Sequence, residues 1–203
     1  MIKYILATLG LGGVAGYLNN NYVNLINNSW VSAYLFDFSL ILLLFTMGFA
    51  FGTDKEAVVK LRKAGLRILG VPFSIALGSI AGGLVSGYVL GISVVGAMAV
   101  TSGFGWYTLA GPLVGQLFGA DLGALGFVVN FLRELLTIVT TPLMAKIDRY
   151  TPVALGGATT MDTTLSIIVR YCGPETLIVA FSSGFALSMM APFTITAIAG
   201  IPK

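Results

Sequence analysis

The chain has 203 residues, of which 57% are hydrophobic and 9% charged, with a formal net charge of +3. Soluble domains carry about 25% charged residues, so there is too little polar surface here for a water-soluble globule, and so small and dispersed a charge excludes nucleic acid as a partner. Histidine is absent and Cys172 is the single cysteine, which excludes zinc sites, internal disulfides and Cys-His catalysis; with a mean hydropathy of +0.94 the chain reads as an all-α polytopic membrane protein, embedded in the lipid bilayer of the cell (cytoplasmic) membrane.

A spanning helix needs about 20 apolar residues. Residues 2–17 carry Lys3 and then a Gly-rich apolar run. No small-x-small cleavage site follows, so the run reads as a retained first helix and not as a signal peptide. Residues 30–51 form the second candidate, opened by Trp30 and Tyr34 at an aromatic interface position, with Asp37 about two turns in. Residues 66–90 form the third. The loop before it holds Lys55, Lys60, Arg62, Lys63 and Arg67. Such a basic loop belongs inside, which places the N-terminus inside and the Asn-rich loop NNNYVNLINN outside.

Past Gly91 the composition changes. GISVVGAMAVTSGFGWYTLAGPLVGQLFG has glycines throughout, and an apolar helix over residues 121–146 follows it, carrying Asn130, Arg133 and Glu134. The Gly-rich stretch is either a broken spanning helix or a hairpin that enters and leaves from outside. The same choice returns at residues 151–172, where Gly156, Gly157 and a threonine cluster break the middle; a last helix over residues 175–199 ends outside. As hairpins, the two segments give an inverted repeat, an architecture that places transporter sites at the bilayer midplane. The organisation is then one transmembrane domain over residues 1–203. It has three N-terminal helices in 1–90, a hairpin plus helix in 91–147 and a second in 151–201, or about five full spans and two interrupted or re-entrant segments. Unpaired backbone groups at such breaks cost several kcal/mol each in hydrocarbon. The tips TSGFGWYT (residues 101–108) and GGATTMDTT (residues 156–164) should therefore cover one another.

The polar residues at mid-depth are the site candidates, since ionisable groups there face a bundle interior or a water-filled path. Asp162 follows a Gly-Gly-Ala-Thr-Thr turn whose carbonyls and hydroxyls could join it in binding a cation; the plainer reading is a helix N-cap. Thr159, Thr160, Thr163 and Thr164 are either ligands or interhelical hydrogen-bonding glue. Asn130, Glu134, Thr137 and Thr141 recur at i, i+4, i+7 and i+11, which makes one polar stripe on a helix. Arg133 lies beside Glu134, and adjacent residues do not face each other. Their alternatives are a packing ion pair or separate partners. Asp37 is an interface residue or a third carboxylate on the path. Trp106 and Tyr107 offer a π face to a cation, or simply pack. The set leans acidic, which suits a cationic or zwitterionic substrate, Na⁺ or H⁺, and no metal or cofactor is expected.

Ser102–Leu113 (SGFGWYTLAGPL), Asn130–Leu135 (NFLREL) and Gly156–Leu165 (GGATTMDTTL) resemble the lysine exporter LysO family, from about residue 30 to the C-terminus. The resemblance implies export of L-lysine and its toxic analogue thialysine, a requirement for intramembrane acidic residues, and coupling by proton antiport. Asp162 matches the family's MD motif. Two positions depart from the pattern: Asn130 stands where the family has Asp, and Ser166 where it has Pro. Full-length members are about half as long again, so the chain resembles their C-terminal two-thirds. The reading that follows is a secondary transporter, not an enzyme, that binds L-lysine or a similar cationic amino acid at Asp162. Two others stand beside it: a membrane subunit that needs a small N-terminal companion, or a same-fold transporter of another metabolite. A homo-oligomer or such a complex is the expected assembly. An intramembrane enzyme is set aside because Asp162 has no second aspartate in a matching motif.

Overall fold

Among the described residues, three helices are long and apolar enough to cross a membrane: Gly70–Leu90, Ala120–Met144 and Thr176–Ala199. At about 1.5 Å per residue each reaches the roughly 30 Å of a hydrocarbon core. The computed structural model describes residues 70–201 continuously and, before them, residues 10–12, 14–23, 34, 38, 39, 41, 42, 45, 46, 49, 53 and 59. Asp37, Trp30 and the basic loop residues Lys55, Lys60, Arg62, Lys63 and Arg67 lie outside the described residues. Contacts divide the chain into two units, Met1–Val58 and Val59–Lys203. In the first, residues 14–18 are α-helical and lead into a π-helical turn, Asn19–Val23.

The second unit runs α1 (Gly70–Leu90), α2 (Val94–Thr101), α3 (Tyr107–Phe118), α4 (Ala120–Met144), α5 (Thr151–Gly156), a 3₁₀ turn (Gly157–Met161), α6 (Leu165–Cys172) and α7 (Thr176–Ala199). All regular structure among the described residues is helical. The long helices α1, α4 and α7 have their counterparts in the residue ranges that hydropathy marks out, within a few residues at either end. The short ones form where glycine and threonine interrupt the apolar runs.

The first interrupted segment doubles back. Gly87 of α1 lies against Val94 and Ala97, and Gly83 against Thr101, so α2 returns along α1. Gly96 of α2 sits beside Leu122 of α4, while Gly103 sits beside Asn130. In α3 the order is reversed: Tyr107 packs edge-on to Phe127 at 5.4 Å and to Phe131 at 5.5 Å, and Gly115 meets Gly123. Both outer ends of α2 and α3 thus lie beside the first turns of α4, and residues 102–106 form the tip. Asn130, level with that tip, is about 15 Å into α4.

The second segment doubles back from the other end of α4. Arg149, before α5, pairs with Glu175, after α6, at 2.9 Å, so the two legs share one base. That base lies beyond the last turn of α4. Val153, Ile168, Cys172 and Ala180 form a buried cluster that packs the legs on each other and on α7. The tip reaches the middle of α7: Thr160 donates to the Ala180 carbonyl at 2.7 Å, and Gly184 lies against Met161 and Ala158. Each hairpin is followed by a long helix, and the two hairpins enter from opposite ends of the unit.

Candidate functional site

The two tips meet backbone to backbone. Phe104 is buried and adopts φ 52°, a left-handed conformation uncommon for a bulky side chain. Its carbonyl thereby accepts the Ala158 N–H at 2.8 Å. Gly157 completes the junction with φ 62°, and a Cβ there would strike the Phe104 carbonyl. Breaks at this depth expose N–H and C=O groups that hydrocarbon cannot satisfy. Each tip supplies part of what the other lacks.

Side chains from the long helices supply the rest. Asn130 is 1% exposed and uses its whole amide on the first tip and its own helix: Oδ1 accepts from Gly105 N at 2.7 Å, and Nδ2 donates to the carbonyls of Val100 and Gly126, both at 2.8 Å. Arg133 grips the second tip. Its Nε donates to the Leu155 carbonyl at 2.7 Å, Nη2 to Ala154 at 3.0 Å, and Nη1 to the Ser79 hydroxyl at 3.0 Å. These are the carbonyls that the short helix α5 leaves open at its C-terminus. Arg133 and Glu134 make no ion pair with each other, as their adjacency in a helix dictates.

The threonines divide. Thr159 donates to the Gly156 carbonyl at 2.9 Å and lies 3.2 Å from the Thr164 hydroxyl; Thr160 bridges the carbonyls of Gly157 and Ala180. All three are buried; Thr159 and Thr160 are occupied with backbone carbonyls, and Thr164 with the Thr159 hydroxyl. Thr137 and Thr141 bond to their own helix, at the carbonyls of Arg133 and Thr137. Thr163 instead is exposed and reaches the Glu134 carboxylate. Trp106 is half-buried, and its N–H closes the first tip on the Gly103 carbonyl at 2.8 Å.

The acidic side chains are not spent on the tips in this way. Glu134 is half-buried, and its Oε2 is fully buried with no hydrogen-bond partner among the described residues. Asp162 ends the 3₁₀ turn and opens to the surface of the unit. It accepts from Thr163 N at 2.6 Å and lies near enough to Glu134 to interact with it electrostatically. The phenol of Tyr107, at the start of α3, feels both carboxylates. Glu134, Asp162, Thr163 and Tyr107 therefore share one place at the side of the tip junction. Two negative groups, one hydroxyl and one phenol can hold a cation or a proton. The sequence pointed to these acids by their depth alone. Ser79 has no signal in the sequence, because nothing local marks a partner so far along the chain; the facing of the two tips is expected from it, whereas the particular Phe104–Ala158 bond is not.

A family model described as Lysine exporter LysO matches residues 6–199. The chain is similar to the protein named Lysine exporter LysO of Escherichia coli (strain K12), 34% identical over 161 residues that make up 78% of this chain and 53% of that protein. It is also similar to a Haemophilus influenzae protein named "Putative lysine exporter", 29% identical over 203 residues, 99% of this chain and 100% of that protein. The matched part is thus about half the length of the first relative and the whole of the second. No solved structure matches the chain.

Proposed function

The chain belongs to the lysine exporter LysO family, and on that premise we propose that it exports L-lysine or a related cationic amino acid, thialysine included, by proton antiport. It is a multi-pass membrane protein; we place its N-terminus inside and its C-terminus outside, following the basic loop before α1. The observation that carries the reading is the acidic pair, Glu134 with an unpartnered buried oxygen and Asp162 beside it, at the junction of two broken segments. A carboxylate at this depth calls for a counter-charge or a proton.

The pair supports exchange in the following way. The side-chain ammonium of the substrate binds against Asp162 and Glu134, with Thr163 and Tyr107 completing its donors and acceptors. A proton arriving from the other side neutralises the carboxylate and removes the attraction that held the ammonium. Proton and ammonium compete for the same oxygens, so binding of one favours release of the other. Asn130 lacks the charge of the family's Asp, and its amide is already engaged with the first tip; the coupling proton therefore falls to Asp162 and Glu134. Sodium is the alternative coupling ion for the same acidic set.

The test is thialysine resistance in a host lacking its own exporter. Expression of the wild-type chain should protect, and Asp162→Asn should abolish protection at unchanged protein level. Sensitivity equal to that of empty-vector cells, both with and without a companion gene, would sink lysine export. Uptake of labelled lysine into inside-out vesicles, with a pH gradient and then with a sodium gradient, separates the two coupling ions. The match to about half of the Escherichia coli relative favours a second reading, a subunit that needs a small membrane companion. On that reading protection appears only when a companion gene is co-expressed.

A further inference from the structure

Arg133 brings a positive charge to mid-depth, and among the described residues no carboxylate meets it. Its hydrogen bonds go to neutral acceptors, the carbonyls of Ala154 and Leu155 and the Ser79 hydroxyl. A guanidinium carries five N–H donors, so these three bonds leave two to spare. The other basic side chains of the described part lie at the ends of elements. Lys146 and Arg149 follow α4, where Arg149 pairs with Glu175, and Arg170 sits in the last turn of α6 over the Tyr171 ring.

The acids next door do not neutralise it. Glu134 meets Thr163 and feels the like charge of Asp162 at the far end of the second tip, whereas Arg133 holds its near end. The open carbonyls of α5 supply at most about half a negative charge. A charge removed from water without a full counter-charge is costly. Beside the guanidinium lies a cavity of about 380 Å³, bounded by Ser74, Ile75, Gly78, Ser79, Arg133 and Ala154. The Ser74 hydroxyl is turned onto its own helix at the Gly70 carbonyl, which leaves Arg133 and Ser79 as its polar groups. A Cβ at Gly78 would meet nothing within 4 Å among the described residues. A planar guanidinium with spare donors takes a carboxylate in two parallel bonds.

We infer that this cavity, with Arg133 and Ser79, is the subsite for the α-carboxylate of the transported amino acid. The inference rests on the amino-acid export reading. A cationic amino acid carries a carboxylate at one end and a side-chain ammonium at the other. Helix α4 presents a free cation and a free anion at successive residues, each with its own surroundings.

The test compares L-lysine with 1,5-diaminopentane, which keeps both amines and lacks the carboxylate. Affinities are measured by calorimetry on the full chain in lipid nanodiscs, for wild type, Arg133→Gln and Gly78→Leu. Wild type should bind lysine at least about tenfold more tightly than the diamine, as a charge-assisted contact supplies. Both variants should lose that preference through weaker lysine binding, with diamine affinity unchanged. Equal weakening of the two ligands, or a preference that survives either variant, overturns the subsite. Gly78→Leu puts a side chain into the cavity from α1 and keeps the Arg133 residue itself, and so decides the matter where Arg133→Gln fails to fold. Should wild type bind neither compound, the export reading fails on its own, and hexanoate then probes the subsite by thermal shift. A hexanoate shift lost in Gly78→Leu upholds the carboxylate site, and no shift in wild type overturns it.

Discussion

Asn130 has every polar atom committed, with partners 25 and 30 residues away at Gly105 and Val100. Replacement by leucine keeps the size and orphans buried backbone groups, each at about 1–3 kcal/mol. Asn130→Leu should therefore lower the thermal midpoint of the detergent-solubilised protein and its folded yield. Asp162→Asn should do the reverse: transport lost, thermal midpoint kept, since Asp162 is exposed and a neutral amide still accepts from Thr163 N. Measuring both quantities on both variants separates a residue that builds the site from one that works in it. The sequence marks Asn130 and Asp162 alike, as polar residues at mid-depth. It cannot tell them apart, because the difference lies in distant backbone groups that only the folded chain brings near.

At the scale of elements, the two hairpins depend on their junction and hardly on the ion pair at the base of the second. Gly157→Ala places a Cβ against the Phe104 carbonyl at a φ that suits glycine. It should separate the tips, with loss of transport and a lower thermal midpoint. Glu175→Gln removes the Arg149 partner, but both side chains are about half exposed, at 54% and 53%. Such a pair contributes roughly 0–1 kcal/mol, so the thermal midpoint should move little. A large drop in Glu175→Gln would show that the base carries the hairpin after all. The positions of the breaks are legible in the sequence, since Gly and Thr runs interrupt otherwise continuous apolar stretches at Ser102–Gly105 and Gly156–Thr164. Their direction is not. A broken span and a doubled-back hairpin both need non-helical backbone at the same depth and have the same composition. The close approaches of Gly96 to Leu122 and of Gly115 to Gly123 distinguish them, and those pairings are invisible along the chain.

For the molecule as a whole, hairpins entered from opposite ends make a topological prediction. Cys172 is buried and is the chain's single cysteine, so Cys172→Ala gives a background for labelling. In that background Asp121→Cys, in the first turn of α4, and Asp148→Cys, just beyond its last, should react with a membrane-impermeant maleimide from opposite faces of the membrane. Labelling of both from one face would mean that α4 does not cross. The class of the molecule was readable from charge content alone, because a chain with so few charged residues has no way to cover a core against water. The separation of the chain into Met1–Val58 and Val59–Lys203 was not readable, since apolar helices look alike whichever unit they join.

Two hairpins, cut from opposite ends of the unit, are joined by the bond from Ala158 to Phe104, and such a pairing suits exchange in either direction. On the proposed antiport, the direction of flux is set by which side of the membrane holds more protons and more substrate. Vesicles loaded with labelled lysine and given first one proton gradient and then its opposite should show flux that changes sign with the gradient. Flux that persists in one direction under both would place a one-way step in the fold itself.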